Sequence, residues 1–198
     1  HAALPWQQVG AFMAELRKRE GMGARALEFA ILTAARSGEV RLAQWDEIDL
    51  AAKLWTVPAE RMKARKVHRV PLSEAAVKVL EALPRMAGSN YVFPAVRGGP
   101  LSDMSLSAVT RRMSVAAVPH GFRSSFKDWC RSSTSFPDEV SELALAHVND
   151  DATRAAYARD ELLPKRRALM AQWAKYCNAV PTKATVTALA RAGTEIAL

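Results

Sequence analysis

Apolar residues recur with a helical period over most of this chain and switch to a two-residue period in one short stretch. Trp6, Val9, Phe12, Met13 and Leu16 share one face of a helix that Pro5 opens and Arg17-Lys18-Arg19 closes. Residues 24–35 are nearly all apolar, which predicts a buried helix broken by Ser37-Gly38, with a short helix through Leu42 behind it. The period then changes: 48–50, 54–57 and 67–72 read as short strands, and the charged stretch 60–66 as the hairpin connection between the last two. Ser73 caps a helix carrying Ala76, Val77, Leu80 and Leu83. Residues 91–93 form a short extended piece and Gly98-Gly99-Pro100 a turn. From Ser102 the pattern is helical, over about 105–117, 121–132, 138–146, 151–160 and 164–177, punctuated by Pro119, Pro137, Asn149-Asp150-Asp151 and Pro164. The expected fold is mainly α with a small three-stranded antiparallel sheet, in the α+β class.

At 198 residues the chain suffices for one domain with a real core. Its 49% apolar and 24% charged content fits a soluble globular protein. The charge of 28 − 20 = +8 points to a polyanionic partner, nucleic acid first. Cys130 and Cys177 lie far apart and form no CxxC pair, so they are expected as buried reduced thiols and not as a disulfide or zinc framework. With no signal peptide, and an apolar run around 29–35 too short to span a bilayer, the chain reads as cytoplasmic, without a membrane partner and, in a bacterium, with access to the nucleoid. It opens on His1 and enters a helix almost at once, as a fragment or trimmed domain would.

Chemistry-bearing residues appear in a set order. Arg36 lies in Thr33-Ala-Ala-Arg36-Ser-Gly-Glu39, Lys63 in the basic hairpin, then come His120-Gly-Phe-Arg123, Leu145-Ala-His147 and Tyr157. Each alone has an ordinary reading. Arg36 suits a helix C-terminus, His120 and Arg123 a polar helix start, and His147 a helix end. Tyr157 suits a half-buried aromatic, and Lys63 is one of the hairpin cations Arg61, Lys63, Arg65, Lys66, His68 and Arg69, a solvated set. Together, two arginines, two histidines, a lysine and a tyrosine suit metal-free phosphoryl transfer to a protein hydroxyl. No Asp, Glu and His cluster has the spacing of a metal-dependent nuclease.

The stretch from Leu32 through Arg36 and Glu39 to Trp45 resembles the first arginine motif of the tyrosine recombinases, the phage integrase family. His120-Gly-Phe-Arg123 resembles that family's His-x-x-Arg motif. Leu145-Ala-His147 is similar to its Leu-Gly-His element, with Ala for Gly, and Tyr157 follows His147 by ten residues, where the family has its nucleophile. Lys165-Arg-Arg167, Met170, Trp173 and Tyr176-Cys177 resemble the tail of P4-type prophage integrases. The likeness covers residues 5–177.

This resemblance implies a catalytic domain over 1–178, a C-terminal tail over 179–198, and core-binding and arm-binding domains that are not in this chain. It implies site-specific recombination of double-stranded DNA, the integration or excision of a prophage or genomic island, through a 3′-phosphotyrosine on Tyr157. Arg36 and Arg123 would clamp the phosphate, Lys63 would protonate the departing 5′-oxygen, His120 would serve as acid/base or phosphate ligand, and His147 would donate to the phosphate. Glu39 would orient Arg36 or His120. Lys66 and Arg65 lie close enough to Lys63 that the hairpin register leaves the acid open between Lys63 and Lys66. No cofactor or metal is implied. The expected assembly is a homotetramer in the synaptic complex and a monomer in isolation, with an excisionase and a DNA-bending host factor as further partners. Two readings stand beside it: type IB topoisomerase-like relaxation, and a catalytically inactive DNA-binding module. The apolar stripe Met170, Trp173 and Tyr176 needs a cover, in its own domain or on a neighbour.

Overall fold

The computed structural model describes residues 1–147 and 162–179. Three helices lead: α1 (Trp6–Arg17), α2 (Met22–Thr33) and α3 (Ser37–Arg41). A sheet of β1 (Ile48–Asp49), β2 (Leu54–Val57) and β3 (His68–Pro71) follows. Then come α4 (Glu74–Glu81), α5 (Ser105–Arg112), α6 (Gly121–Ser133), α7 (Asp138–Ala144) and α8 (Leu163–Cys177). The sheet is antiparallel in the order β1-β2-β3, with Trp55 opposite Val70 and Val57 opposite His68. The predicted class holds, with the outer strands shorter than their apolar runs.

Helix α2 is the hub. Its residues from Ala26 to Thr33 are all buried, because α1, α3, α4, α5 and α8 pack around it. Phe29 meets Trp55 of β2 at 5.4 Å and Phe93 at 5.5 Å, which closes the sheet onto the helices. Helix α8 docks on the same hub. Trp173 is fully buried and its Nε1–H donates to the Ile31 carbonyl at 2.8 Å. Trp173 packs edge-on against Phe126 at 5.4 Å and beside Trp129 at 5.0 Å, and the Tyr176 hydroxyl donates to the Trp6 carbonyl at 2.7 Å. The stripe Met170, Trp173 and Tyr176 is therefore covered by its own domain. Cys130 and Cys177 are buried free thiols. No described helix is long and apolar enough to cross a membrane.

Three helices stop earlier than their apolar pattern. The pattern carries α2 to residue 35, α5 to 117 and α7 to 146. Instead the chain turns left-handed at Ala34 (φ 53°), Ser114 (φ 53°) and Ala146 (φ 50°). At α7 this is a complete Schellman turn: His147 N–H donates to the Glu142 carbonyl and Ala146 N–H to the Leu143 carbonyl. Such turns ordinarily use glycine. An L-residue there costs roughly 1–2 kcal/mol, so tertiary contacts must hold these ends.

Candidate active site

Two of the left-handed turns present their carbonyls to two arginines. Arg123, on the first turn of α6, is 5% exposed. Its Nη1 donates to the Ala34 carbonyl at the end of α2 (2.5 Å), and its Nη2 to the Leu145 carbonyl at the end of α7 (2.7 Å). Carbonyls at a helix C-terminus lack intrahelical donors and carry the negative end of the macrodipole. Arg123 satisfies two of them from a single fork and locks α2, α6 and α7 together.

Arg36 sits at the N-cap of α3, in the loop that follows the α2 turn. Glu39, buried at N3, accepts from the Arg36 backbone N–H at 2.9 Å and pairs with Nη1 at 2.7 Å. The glutamate three residues on thus fixes both ends of Arg36, the half-capping geometry of a helix start. Nη2 of Arg36 reaches the Ala146 carbonyl at 3.4 Å. Both guanidiniums therefore converge on the α7 turn, beside the solvent-facing His147.

His147 faces Arg123 through Nε2 at 3.4 Å and Glu142 through Nδ1 at 2.7 Å. His120 stands at the N-cap position of α6, makes no side-chain capping bond there, and is exposed. Its ring lies 4.3 Å from that of His1. Gly121 is required here, because a Cβ would come within 2.0 Å of the Ala2 carbonyl. The segment before α1 thus lies across the His120 turn, and Val118 N–H donates to Ala2.

The electrostatics have one sign. Burial, then the neighbouring Arg36, lowers Arg123 to about 10, which leaves it charged at neutral pH. Burial, then Arg123 and Arg36, depresses His120 below the usual histidine range, so the neutral ring dominates at pH 7. Among the described residues, cations crowd each other, with Glu39 and Glu142 offsetting them, a field that favours an anion.

Lys63 and Lys66 are exposed on the hairpin between β2 and β3, and neither has a hydrogen bond or ion pair among the described residues. The base of that hairpin is anchored. Arg61 donates to the Glu39 carbonyl at 3.1 Å and pairs with Glu47, which ties the hairpin to the helix that carries Arg36. Tyr157 lies outside the described residues.

The profile described as "Phage integrase family" matches residues 3–162. The chain belongs to the phage integrase family. It is 36% identical over 161 residues to prophage integrase IntA of Escherichia coli K12, covering 79% of this chain and 39% of that protein. It is 31% identical over 200 residues to the integrase of Enterobacteria phage P4, covering 90% of this chain and 46% of that integrase. The chain thus spans less than half the length of either relative. Among solved structures, the integrase from mycobacterium phage Brujita superposes with a TM-score of 0.69 at 15% identity, over 96% of this chain and 64% of that one. A lambda integrase dimer bound to a COC′ core site superposes at 0.56 with 17% identity, over 76% of this chain and 59% of that one. At these identities the superpositions establish the integrase fold.

Within that fold, sequence reasoning missed His68. Grouped with the solvated hairpin charges, it is instead buried at the start of β3. Burial, then Arg166, lowers it to about 3, with Arg36 and Arg123 adding smaller effects. Arg166, itself buried on α8, donates to the Arg69 carbonyl beside it at 2.5 Å. The hydrophobic alternation of β3 carried the signal: His68 and Val70 share a face, and Val70 is core.

The linkage has a definite sign. His68 is neutral when folded and takes a proton in the unfolded chain below 6.5, so its contribution is intact above pH 6.5 and is lost as pH falls toward 3. The slope approaches about 1.4 kcal/mol per pH unit. His120 acts in the same direction from an exposed position, whereas the lowered carboxylates Glu74, Asp138 and Glu142 act only below their ordinary value of 4.5 or less. Urea midpoints between pH 6.5 and 4.5 should therefore fall more steeply for the parent chain than for His68→Gln. Equal slopes would contradict a buried neutral His68.

Proposed function

We propose that this chain is the catalytic domain of a site-specific DNA recombinase that cuts and rejoins double-stranded DNA through a 3′-phosphotyrosine on Tyr157. The observation that carries this reading is the arginine pair, whose guanidiniums are pinned by main-chain carbonyls and Glu39 at one spot between His120 and His147.

The Tyr157 oxygen attacks phosphorus and the bond to the 5′-oxygen breaks, so the link to DNA is conserved as a phosphodiester and rejoining needs no nucleotide cofactor. Negative charge grows on the non-bridging oxygens in the transition state. Arg36 and Arg123 meet it with donors that need no reorganisation, the largest electrostatic contribution such a site can make. A guanidinium stays charged and offers a planar fork that matches two phosphate oxygens. His120, neutral at pH 7, is suited to take the tyrosine proton. Lys63 delivers a proton to the departing 5′-oxygen from its anchored hairpin.

Lambda integrase is described as a dimer on a core site and as a tetramer on a Holliday junction. These descriptions support DNA as the substrate here and tetrameric assembly on it. On the family resemblance alone, we add to the proposed reaction an excisionase, a DNA-bending host factor and a place at the nucleoid.

The adduct assay on a nicked suicide duplex tests the reading and separates the hairpin lysines. A bridging 5′-phosphorothiolate has a sulfur leaving group that departs unprotonated. Lys63→Ala should fail on ordinary DNA and recover on the phosphorothiolate, with Lys66→Ala close to the parent on both. Rescue confined to the Lys66 variant would transfer the role to Lys66.

A further inference from the structure

His147 is tied to one residue, Glu142, twice over. Its Nδ1 lies 2.7 Å from Oε2 of Glu142, and its backbone N–H donates to the Glu142 carbonyl across the α7 turn at 3.0 Å. Glu142 is held from behind by Lys127, whose Nζ lies 2.5 Å from Oε1. Lys127 is buried on α6 and also bonds Asp138 at 2.7 Å and Ser141 Oγ at 2.6 Å. The order is cation, carboxylate, imidazole, and then Arg123 at 3.4 Å from Nε2.

Proton counting fixes what this chain can do. A carboxylate only accepts, so the imidazole nitrogen that faces it carries hydrogen. Neutral His147 therefore holds its lone pair on Nε2, toward the Arg123 donor. A phosphate oxygen also only accepts. His147 can then donate to it from Nε2 only as the imidazolium.

We infer that Glu142 is a positioning residue that makes His147 a proton-dependent phosphate ligand. The described charges around His147 are Glu142 at Nδ1 and Arg123 at Nε2, with Arg36 on the same turn, His120 nearby and Lys127 behind Glu142. An arriving phosphate dianion or diester offsets the arginines, so the site takes up a proton as it binds the anion. The inference rests on the proposed function and on the phosphate-donor role that the family resemblance implies for His147, and it adds which residue sets its tautomer.

The decisive variant is Glu142→Gln. Lys127 has donors only, so the new amide must turn its oxygen toward Lys127 and its NH2 toward His147 Nδ1. The tautomer inverts to Nε2–H, and the neutral ring can then donate to phosphate. Long-range 15N–1H NMR on the histidine-labelled chain reads this directly. The parent should show the Nδ1–H form at high pH, and Glu142→Gln the Nε2–H form. Titration with inorganic phosphate should raise the His147 midpoint in the parent and move it much less in the variant. In single-turnover cleavage, the parent rate should fall about tenfold per pH unit above the His147 midpoint, and the Glu142→Gln rate should be flat there. Glu142→Asp keeps the charge and should keep the falling limb, which separates tautomer control from a packing defect. An Nε2–H tautomer in the parent, or identical tautomers in parent and Glu142→Gln, would overturn the inference. Absence of any cleavage by the parent would instead overturn the proposed function and leave the tautomer assignment standing.

Discussion

Tyr157→Phe should abolish covalent protein–DNA adducts on a nicked suicide duplex, with thermal stability and non-covalent DNA binding close to those of the parent. The substitution removes one oxygen and keeps the ring, so a residue whose role is packing would scarcely notice it. A nucleophile cannot be replaced: without the hydroxyl no phosphorus–oxygen bond forms, and the loss is complete instead of graded. The chain has three tyrosines, and the described ones do not compete well for the role. Tyr176 lies in the aromatic cluster of α8, its hydroxyl donates to the Trp6 carbonyl, and burial pushes its pKa above the ordinary tyrosine range. Tyr91 pairs with Gln44 at an isolated β-bridge. Tyr176→Phe should therefore retain adducts. Covalent product from the Tyr157→Phe variant, detected as a shifted band after denaturation, would refute the assignment.

The elements of this fold were legible where the chain carries a periodic stripe or a punctuating residue. Ser73 caps α4 through the Ala76 N–H as its position predicts, and the strand run 54–57 is reproduced as β2. The ends of α2, α5 and α7 were not legible, and all for one reason. They terminate on Ala34, Ser114 and Ala146 in the left-handed region, where no glycine marks the stop. At Ala34 and Ala146 the tertiary structure supplies the stabilisation, since Arg123 and Arg36 bond the carbonyls exposed there. The same contacts build the candidate site, so two of the three helix ends that local propensity misses are the ones the candidate site holds. The site followed the same division. Motif spacing identified Arg36, His120, Arg123 and His147, which the fold brings together. His68 acts through burial and a partner distant in sequence, and Glu142, though only five residues from His147, is held by Lys127 from another helix; spacing carries no record of those. Glu39 was legible as an orienting group for Arg36 or His120, and the structure pairs it with Arg36, three residues before it.

Arg123→Ala should lower single-turnover cleavage at saturating DNA by roughly 10²–10³, the cost of one lost oxyanion donor, and should lower the melting temperature as well. The second effect follows from its burial. Its Nη1 and Nη2 satisfy the Ala34 and Leu145 carbonyls, and stranding a buried polar partner costs about 1–3 kcal/mol. Arg36 is a useful contrast. It keeps 24% of its side chain exposed and bonds the α7 carbonyls only at 3.4 Å and beyond. Arg36→Ala should therefore match Arg123→Ala in lost rate but leave stability much closer to the parent, apart from freeing the Glu39 carboxylate. Arg123→Lys decides between charge and geometry. An ammonium retains the charge and has three donors, yet all sit on one nitrogen, without the two separated Nη positions that reach the Ala34 and Leu145 carbonyls on different helices. The lysine variant should recover little of the lost rate and only part of the stability. Near-parental cleavage by Arg123→Lys would show that positive charge alone suffices, and the forked clamp between the α2 and α7 turns would have to be abandoned.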